Sequence, residues 1–386
     1  MKVLHLLYES RGDFFGIGGV GIRAYEIYKR LKDRHDITLL CKKYPGAVDR
    51  EIDCLKHIFV GAESKSLTKS LLSYAYHASL FVRRHDADFD IIVEEFSPAI
   101  PTFLHAFSGK PIILQVQGYT GRLYFKKYNP LYAPALCLME RLRPSCYDYL
   151  IFINPETAKK FSLRRAKRTA IISNGIPPEL LEVTPEEGNY VLYLGRIDMC
   201  GKGLDILLGA YGEFYKSFPD IRLVIAGEGR DFKMLQAGIM KLPAEARNKI
   251  ELLGWVSGEQ KAEVIKNSLY AVFPSRHEVQ PIAVLEAMAC GKAVVVSGIP
   301  EFAFVTKSGA GIPFKTGSAA SLAQSMKFMA ASKERKGMGQ RGRQWVKEFT
   351  WDRTAEEYER FLSGIVAGED PAHKEPARVR IDRLRL

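Results

Sequence analysis

The sequence lacks the features that mark membrane-spanning, secreted or zinc-binding chains. No run of about 18 consecutive apolar residues occurs, so we expect no transmembrane helix. The short apolar run at the N-terminus is followed at once by Glu9, Arg11 and Asp13, which is typical of a first buried strand and not of a signal peptide. The six cysteines form no C-x-x-C pair and adjoin no histidine cluster, which argues against structural zinc. We expect all six to be small buried side chains in a reducing cytoplasm.

Acidic residues are fewer than basic ones, and the excess positive charge is concentrated in one segment. The chain carries 44 Asp and Glu against 56 Lys and Arg, a net charge of +12. Between residues 121 and 170, eleven cations face three acids. Such a segment suits an anionic membrane, a nucleic acid or a phosphorylated substrate, and equally a solvated surface. No nucleic-acid-binding motif accompanies it, so nucleic acid is not expected as a partner.

Apolar, β-branched runs alternate with helical patterns along the chain, which predicts an α/β fold. Six such runs fall between residues 2 and 175, and six more between 190 and 314. This alternation indicates parallel sheets with helices on both faces. The length of 386 residues and the Pro- and Glu-rich stretch at 177–187 predict two doubly wound, Rossmann-like domains. We place an N-terminal domain at 1–180, a C-terminal domain at 188–350 and a basic tail at 370–386.

Three glycines near the N-terminus have the G-x-G-x-x-G spacing of a dinucleotide-binding loop: Gly16, Gly18 and Gly21. Two features oppose that interpretation. Seven residues separate the first predicted strand from Gly16, and Lys42 and Lys43 stand where the second strand should end in an acid. Because of these two features, a dinucleotide-dependent oxidoreductase is only an alternative and not the leading hypothesis. The following helix start is expected to leave free N–H groups facing an anion.

Charged residues cluster in two segments of the second predicted domain. Glu278 and Glu286 are separated by seven residues, with Pro281 placed to start a helix between them. Acids so placed can hydrogen-bond the hydroxyls of a polyol, while the helix N-terminus faces a phosphate. Arg196 follows a predicted strand and Lys202 lies in the next loop, so these two cations suit a diphosphate.

Together these motifs resemble the GT-B-fold glycosyltransferases of glycosyltransferase family 4, a retaining group. The matching positions, in order and spacing, are Gly18 and Gly19 (the GG loop), 173–176, Arg196 and Lys202 (the GR…KG clamp), 226–229, 253–256, Glu278 and Glu286 (the E-x7-E pair) and 286–295. The resemblance implies two Rossmann-like domains facing each other across a cleft, with a helix near 351–366 packing back on the first. It also implies transfer of a sugar from a nucleotide diphosphate sugar to an acceptor, with retention of anomeric configuration.

The resemblance further implies roles for single residues. Arg196 and Lys202 would neutralise the leaving diphosphate, so no metal ion or other cofactor is expected. Glu278 would contact the transferred sugar and complete the catalytic set, and Glu286 would bind the ribose hydroxyls. The remaining donor-binding residues implied by the motifs are Gly18, Gly19, Gln117, Gly227, Glu228, Val256, Val279, Gln280, Pro281 and Ile282.

Two positions depart from the family pattern. Many relatives carry a histidine that contacts the transferred sugar where this chain has Gln117, and an amide cannot act as an acid or base. Retention by same-face attack, in which the leaving phosphate takes the proton, needs no protein base. Val279 and Gln280 stand where relatives often have glycine and an aromatic residue, so the donor sugar stays open. A catalytically silent GT-B protein is therefore the second alternative.

The acceptor is expected at the first domain, where apolar side chains are interleaved with the cations of 121–170. Cations beside exposed apolar side chains suit a peripheral protein at an anionic inner-membrane face. Its acceptor would then be a lipid-linked or phosphorylated glycan precursor, and its location cytoplasmic. If the apolar side chains instead belong to the core, this interpretation fails.

Overall fold

The predicted buried strands form two separate sheets, one in each of two units of the chain. The computed structural model describes residues 1–9, 18–121, 124–127, 131–163 and 165–369. The first unit comprises Met1–Asn174 and the segment from Trp351 onward, and the second comprises Gly175–Thr350. The division after Asn174 falls ahead of the limit that we placed at 180.

The sheet of the first unit is built on short strands, most of which are buried on both faces, while β3 and β4 at one edge are only partly buried. In the described residues these strands are β1 (Lys2–Leu7), β2 (Asp36–Lys42), β3 (Arg50–Ile52), β4 (Leu55–Val60), β5 (Ile91–Glu95), β6 (Ile112–Val116), β7 (Tyr149–Phe152) and β8 (Arg168–Ile171). Their order is β3-β4-β2-β1-β5-β6-β7-β8. All neighbours pair in parallel except β3 and β4.

Helices connect these strands, as parallel pairing requires. Within the first 174 residues the described helices are α1 (Gly19–Leu31), α2 (Leu67–His85), α3 (Tyr124–Lys127), α4 (Ala133–Leu142) and α5 (Pro155–Ala158). One face of α1 supplies Ala24, Tyr25, Ile27 and Tyr28 to a buried apolar cluster against the sheet.

The second unit has the six-stranded order of a Rossmann sheet, β11-β10-β9-β12-β13-β14, with every neighbour parallel. Its strands are β9 (Tyr190–Leu194), β10 (Arg222–Ala226), β11 (Ile250–Gly254), β12 (Tyr270–Phe273), β13 (Val294–Ser297) and β14 (Gly311–Phe314). Its helices are α6 (Leu204–Tyr215), α7 (Phe232–Ile239), α8 (Ala244–Arg247), α9 (Gly258–Lys266), α10 (Ile282–Ala289), α11 (Ala303–Lys307), α12 (Ala319–Ala331) and α13 (Arg335–Val346). The predicted α/β class with two Rossmann-like domains is confirmed.

The last described helix, α14 (Trp351–Val366), belongs to the first unit. Tyr358 and Phe361 join the cluster that contains the buried face of α1. The hydroxyl groups of Tyr358 and Tyr28 lie 3.4 Å apart, and Arg30 Nε donates to Asp352 at 2.6 Å. This helix therefore completes the core of a unit whose sheet is formed far earlier in the chain.

Two further expectations differ from the structure. The hairpin of β3 and β4 was not predicted, because β4 alternates buried and less buried residues over only six positions and so presents no continuous apolar run. The cysteines are not all buried: Cys54 and Cys200 are exposed, whereas Cys41 and Cys290 lie in the core. Cys54 has a positive φ of 61° in the tight turn between β3 and β4, so its exposure follows from its place in the turn.

Candidate functional site

Strand order reverses between β9 and β12 in the second unit, and such a point is where open α/β sheets bind ligands. The two strands pair directly. Arg196 follows the carboxyl end of β9, and Ser275 and Glu278 follow that of β12. Arg196 and Glu278, two of the residues that the sequence motifs single out, therefore lie at the same edge of this sheet.

Lys202 and Glu278 form an ion pair at this edge. Lys202 Nζ lies 2.5 Å from Glu278 Oε1, which also accepts a hydrogen bond from Ser275 Oγ at 2.7 Å. The side chains are 22% and 10% exposed, respectively. Arg196 is exposed, and its guanidinium makes no ion pair with any residue that the structure describes. The edge thus presents one paired and one solvent-facing cation.

Backbone geometry holds the Lys202 loop against the loop after β12. Gly203 has a φ of +69°, and a side chain there would overlap the carbonyl oxygen of Pro274. Only glycine fits both requirements without strain. Arg276, in the second loop, forms a bidentate ion pair with Asp205 at 2.8 and 2.6 Å, which ties that loop to the first turn of α6.

Glu286 lies on α10 and is also paired with a lysine. Its Oε1 lies 2.5 Å from Nζ of Lys261 on α9. The Glu286 side chain is 7% exposed and that of Lys261 is 23% exposed. Because a buried carboxylate without a partner is costly, Lys261 is what allows an acid on this largely apolar helix.

The other predicted donor-binding residues of the second unit surround the same strand ends. Gly227 is buried, and its N–H donates to the carbonyl of Gly254 at 2.6 Å. Val256 is 4% exposed, and Glu228 is exposed. The half-buried residues that lead into α10 are Val279, Gln280, Pro281 and Ile282.

In the first unit, the start of α1 does not leave all its N–H groups free, contrary to our expectation. Glu9 Oε2 accepts from the N–H of Gly18 at 3.0 Å and from that of Gly21 at 3.1 Å. A carboxylate of the chain itself thus stands at the positive end of this helix. Around Gly19, by contrast, an added Cβ would meet no atom within 4 Å. Gly16 lies outside the described residues.

Gln117, the predicted sugar contact, directly follows β6 and is half-buried. Its Nε2 donates to Glu95 Oε2 at 2.9 Å. Gln115 Nε2 donates to the other carboxylate oxygen at 2.6 Å, and His5 Nε2 lies 3.3 Å from that same oxygen. β1 and β5 are the strands at which order reverses in this sheet, so this polar cluster also lies at a switch point.

The basic segment of the first unit carries exposed apolar side chains on and beside α4. The exposed fractions are 83% for Leu131, 67% for Tyr132, 53% for Leu138 and 52% for Leu142. Tyr124, in contrast, is buried. Most of these side chains are therefore not core residues. The membrane interpretation would fail if they were, so it is not excluded on that ground.

Among the described residues, no helix combines the length and apolar character needed to cross a bilayer. Within the same residues, no cluster of three or more His, Cys, Asp or Glu side chains is arranged to hold a metal ion.

Sequence reasoning missed the partners of the predicted acids. Ser275 had a weak signal, because it ends the strand-like run YAVFPS just before Glu278. Lys261 had none, since a lysine on a polar helix is normally a solvated charge. The sequence places Glu9 in a loop and Glu95 at the end of a strand, and nothing in either pattern predicts that these carboxylates accept hydrogen bonds from the start of α1 and from two glutamines.

These elements define a doubly wound α/β protein with a charged edge on its second sheet, and comparison with family models identifies the family. The model of the Glycosyl transferases group 1 matches residues 182–345, and that of Glycosyltransferase Family 4 matches residues 17–180. The chain belongs to the GT-B-fold glycosyltransferases of group 1.

Curated relatives match shorter parts of the chain. A phosphatidyl-myo-inositol mannosyltransferase of Mycobacterium tuberculosis is 35% identical over 130 residues, which span 33% of each chain. A GDP-mannose:cellobiosyl-diphosphopolyprenol alpha-mannosyltransferase of Xanthomonas oryzae is 28% identical over 213 residues, covering 53% of this chain and 54% of the relative. The chain thus spans between a third and about half of the length of these relatives.

A solved structure supports the fold over nearly the whole chain. The sucrose-phosphate synthase of Thermosynechococcus elongatus superposes with a TM-score of 0.76 and 18% identity, covering 95% of this chain and 99% of that one. At this identity the likeness concerns the fold alone.

Proposed function

We propose that this chain transfers a glycosyl group from a nucleotide diphosphate sugar to an acceptor, with retention of anomeric configuration. The observation that carries the proposal is the Lys202–Glu278 pair beside Arg196, at the switch point of the second sheet. Cations suit a diphosphate, and carboxylates suit hydroxyl groups. The nucleotide sugar in the name of the Xanthomonas relative is in keeping with this chemistry.

In this mechanism Arg196 and Lys202 stabilise the charge that develops on the leaving diphosphate, which is a large catalytic effect in a fixed site. Glu278 accepts a hydrogen bond from the transferred sugar, and Glu286 accepts from the ribose hydroxyls. The backbone at Val256 contacts the base. Residue charges rather than a metal ion then neutralise the leaving group.

The bond changes need no protein base. The acceptor oxygen bonds to the anomeric carbon on the face from which the diphosphate departs, and the bond from that carbon to the phosphate oxygen breaks. The acceptor proton passes to the departing phosphate oxygen. Gln117 takes no proton and serves as a hydrogen-bonding contact to the sugar.

The acceptor in this proposal is a lipid-linked or phosphorylated glycan precursor at the cytoplasmic face of a membrane. Support comes from the exposed apolar side chains around α4, including Leu131 and Tyr132, next to the exposed Arg141. Contiguous exposed apolar side chains of this kind favour an interaction surface. The names of both relatives also include a lipid or a polyprenol, phosphatidyl-myo-inositol in one and cellobiosyl-diphosphopolyprenol in the other.

The first experiment is a thermal-shift and calorimetric panel of UDP-, GDP-, ADP- and dTDP-sugars, since a bound ligand raises apparent stability. Turnover of the best donor is then compared in Lys202→Ala and in Lys216→Ala, a matched control whose lysine pairs with Glu213 on an exposed surface. We expect the first variant to lose on the order of a hundredfold or more in kcat and the second to keep its rate. Equal rates in the two variants contradict the proposed clamp.

Stereochemistry and metal dependence have direct readouts. Proton NMR of the product should give the same anomeric configuration as the donor, and an inverted product contradicts retention. Turnover should persist in excess EDTA. Saturable binding of NAD(P) or a flavin without competition by any nucleotide sugar supports the oxidoreductase alternative. Binding of a donor without hydrolysis or transfer supports a catalytically silent protein.

Membrane contact is tested by sedimentation with vesicles of phosphatidylcholine, with and without phosphatidylglycerol. The double substitution Leu131→Ser and Tyr132→Ser should reduce binding to the anionic vesicles. Val48→Ser serves as control, because Val48 is 65% exposed elsewhere in the same unit. No binding by the unaltered protein contradicts this part of the proposal.

A further inference from the structure

Glu95 is a buried carboxylate with no role in the chemistry described above. It is the last residue of β5, and its side chain is 0% exposed. No lysine or arginine within the described part of the chain forms an ion pair with it. Two glutamine amides and one imidazole surround it instead. Burying a carboxylate without a cation is costly, so a purely structural position would be expected to hold an apolar residue.

The hydrogen bonds of the cluster fix the orientation of each amide. A carboxylate accepts only, so both glutamines must turn their NH₂ groups toward Glu95. The consequence for Gln115 is a buried Oε1 with no hydrogen-bond partner, which costs about 1–3 kcal/mol. The opposite amide orientation would place that oxygen against the carboxylate. Two acceptor oxygens would then repel each other, which costs more than one unsatisfied oxygen. Glu95 therefore determines these orientations even at a cost.

His5 completes the cluster from the side of β1. Its Nδ1 lies 2.7 Å from the hydroxyl of Tyr28, and its Nε2 faces Glu95 at 3.3 Å. Burial raises the pKa of Tyr28 well above its ordinary value, so the hydroxyl keeps its proton. His5 Nε2 nevertheless makes no hydrogen bond within the described part of the chain. The imidazole therefore packs beside the Glu95 carboxylate, and the hydrogen bonds to that carboxylate come from the two glutamine amides.

Gln117 differs from Gln115 in that its amide is only half-buried. Its NH₂ group is held by Glu95, so its Oε1 is turned away from the carboxylate. Among the described residues this amide has no other hydrogen-bond partner. An amide oxygen of fixed orientation on a half-buried side chain can accept a hydrogen bond from a hydroxyl but cannot donate one. It suits the hydroxyl of a neutral sugar.

We propose that Glu95 is a positioning residue that fixes the Gln117 amide so that its oxygen accepts a hydroxyl of the transferred sugar. This inference rests on the proposed function. Where many relatives have a histidine, this chain has Gln117, whose amide can turn either way. Glu95 would determine which end of that amide meets the sugar.

The test compares how much the sugar adds to nucleotide affinity. For each protein, the dissociation constants of GDP-mannose and GDP, and of UDP-glucose and UDP, are measured by calorimetry. Their ratio is the sugar increment for that nucleotide. In Glu95→Gln, the new amide can satisfy only one of its two neighbours as the carboxylate did, so Gln117 is free to reverse. We expect the increment of the better donor to fall about fivefold, the worth of roughly one hydrogen bond.

Two further variants separate positioning from general destabilisation. Glu94→Gln alters the neighbouring buried carboxylate, which contacts Arg143, Thr102 and Tyr147 but not Gln117; it should lower stability and keep the increment. In a Gln117→Ala background, Glu95→Gln should have no additional effect on the increment.

Three outcomes overturn the inference: an unchanged increment in Glu95→Gln, an equal loss in Glu94→Gln, or additive losses in the double variant. If the unaltered protein binds no nucleotide sugar at all, the proposed function itself is wrong and this inference falls with it. Circular dichroism and thermal unfolding of every variant identify any that fail to fold, and Glu95→Ala then replaces Glu95→Gln.

Discussion

Lys292 is a buried lysine whose titration should be visible in the stability of the second unit. It is 3% exposed, and its ammonium donates to the carbonyl oxygens of Glu186 and Ser268. Burial lowers the pKa of Lys292 from its ordinary value of 10.5 to about 8. At pH 7 the folded protein therefore carries a buried charge that the unfolded chain solvates.

The direction of the pH dependence follows from these two values. Between about pH 8 and 10.5 the folded protein has released the Lys292 proton while the unfolded chain still binds it. Unfolding then takes up a proton, so the free energy of unfolding rises with pH in this window. At about 1.4 kcal/mol for each pH unit, the gain is roughly 3 kcal/mol when complete and none of it is present below pH 8.

The measurement is a set of urea titrations from pH 7 to 10 on the unaltered protein and on Lys292→Met. Tryptophan fluorescence is suitable, since Trp255 and Trp345 lie in the second unit. Burial raises the pKa of Cys290 from 9.0 to about 12, which lowers stability above pH 9. Because the charge of Lys292 acts on the Cys290 thiol, this effect differs between the two proteins, so both are compared in a Cys290→Ala background.

By pH 10 the unaltered protein should have gained about 2.5 kcal/mol relative to Lys292→Met. The exposed Lys315 provides the control: Lys315→Met should follow the unaltered protein at every pH. Parallel curves for the unaltered protein and Lys292→Met would refute the argument.

Substitutions at four further positions have defined outcomes. Lys261→Met should lower the free energy of unfolding by about 2 kcal/mol in urea titrations, because it leaves the Glu286 carboxylate buried without a partner, whereas Lys261→Arg should lose little. Gly203→Ala should lose more than about 1 kcal/mol in the same assay, since its positive φ and its contact with a carbonyl exclude a side chain; an unchanged midpoint would contradict the assigned loop geometry. Gly19→Ala should fold with unchanged thermal stability, because the space is open, yet bind a nucleotide sugar more weakly in calorimetry if the backbone there approaches the ligand. Phe361→Ala should cost about 3 kcal/mol in chemical unfolding of the first unit, and a loss under 1 kcal/mol would show that α14 is not part of its core.

The fold was largely predictable because parallel strands buried on both faces read as continuous apolar runs. β9 to β14 fall inside the six runs predicted for the second domain. β3 and β4 were not predicted, because a hairpin at the edge of a sheet is only partly buried and therefore shows no continuous apolar run. The boundary after Asn174 could not be placed from the sequence, since no residue in the segment 173–176 marks a change of unit.

The sequence named Glu278 and Lys202 as candidate site residues but did not predict that they pair. Glu278 and Lys202 were both identified, yet 76 residues separate them and no local pattern predicts an ion pair across that distance. Glu95 ends a run that reads as an ordinary strand, and only the sheet order shows that it faces Gln117. Pairing across strands depends on topology, which is a property of the whole unit.

The ion pair between Lys202 and Glu278 has a consequence for which ligands the site should retain. Inorganic phosphate can take the ammonium, but it leaves a carboxylate that is 10% exposed and that, among the residues the structure describes, then keeps the Ser275 hydroxyl as its one hydrogen-bond partner. A molecule that carries both a phosphate and a suitably spaced hydroxyl replaces both halves of the pair at once. For the proposed donor site, the ion pair would therefore favour ligands that carry both groups over ligands that carry only one of them. In the proposed reaction it also promotes product release, because once the sugar has gone the nucleotide competes with Glu278 for Lys202.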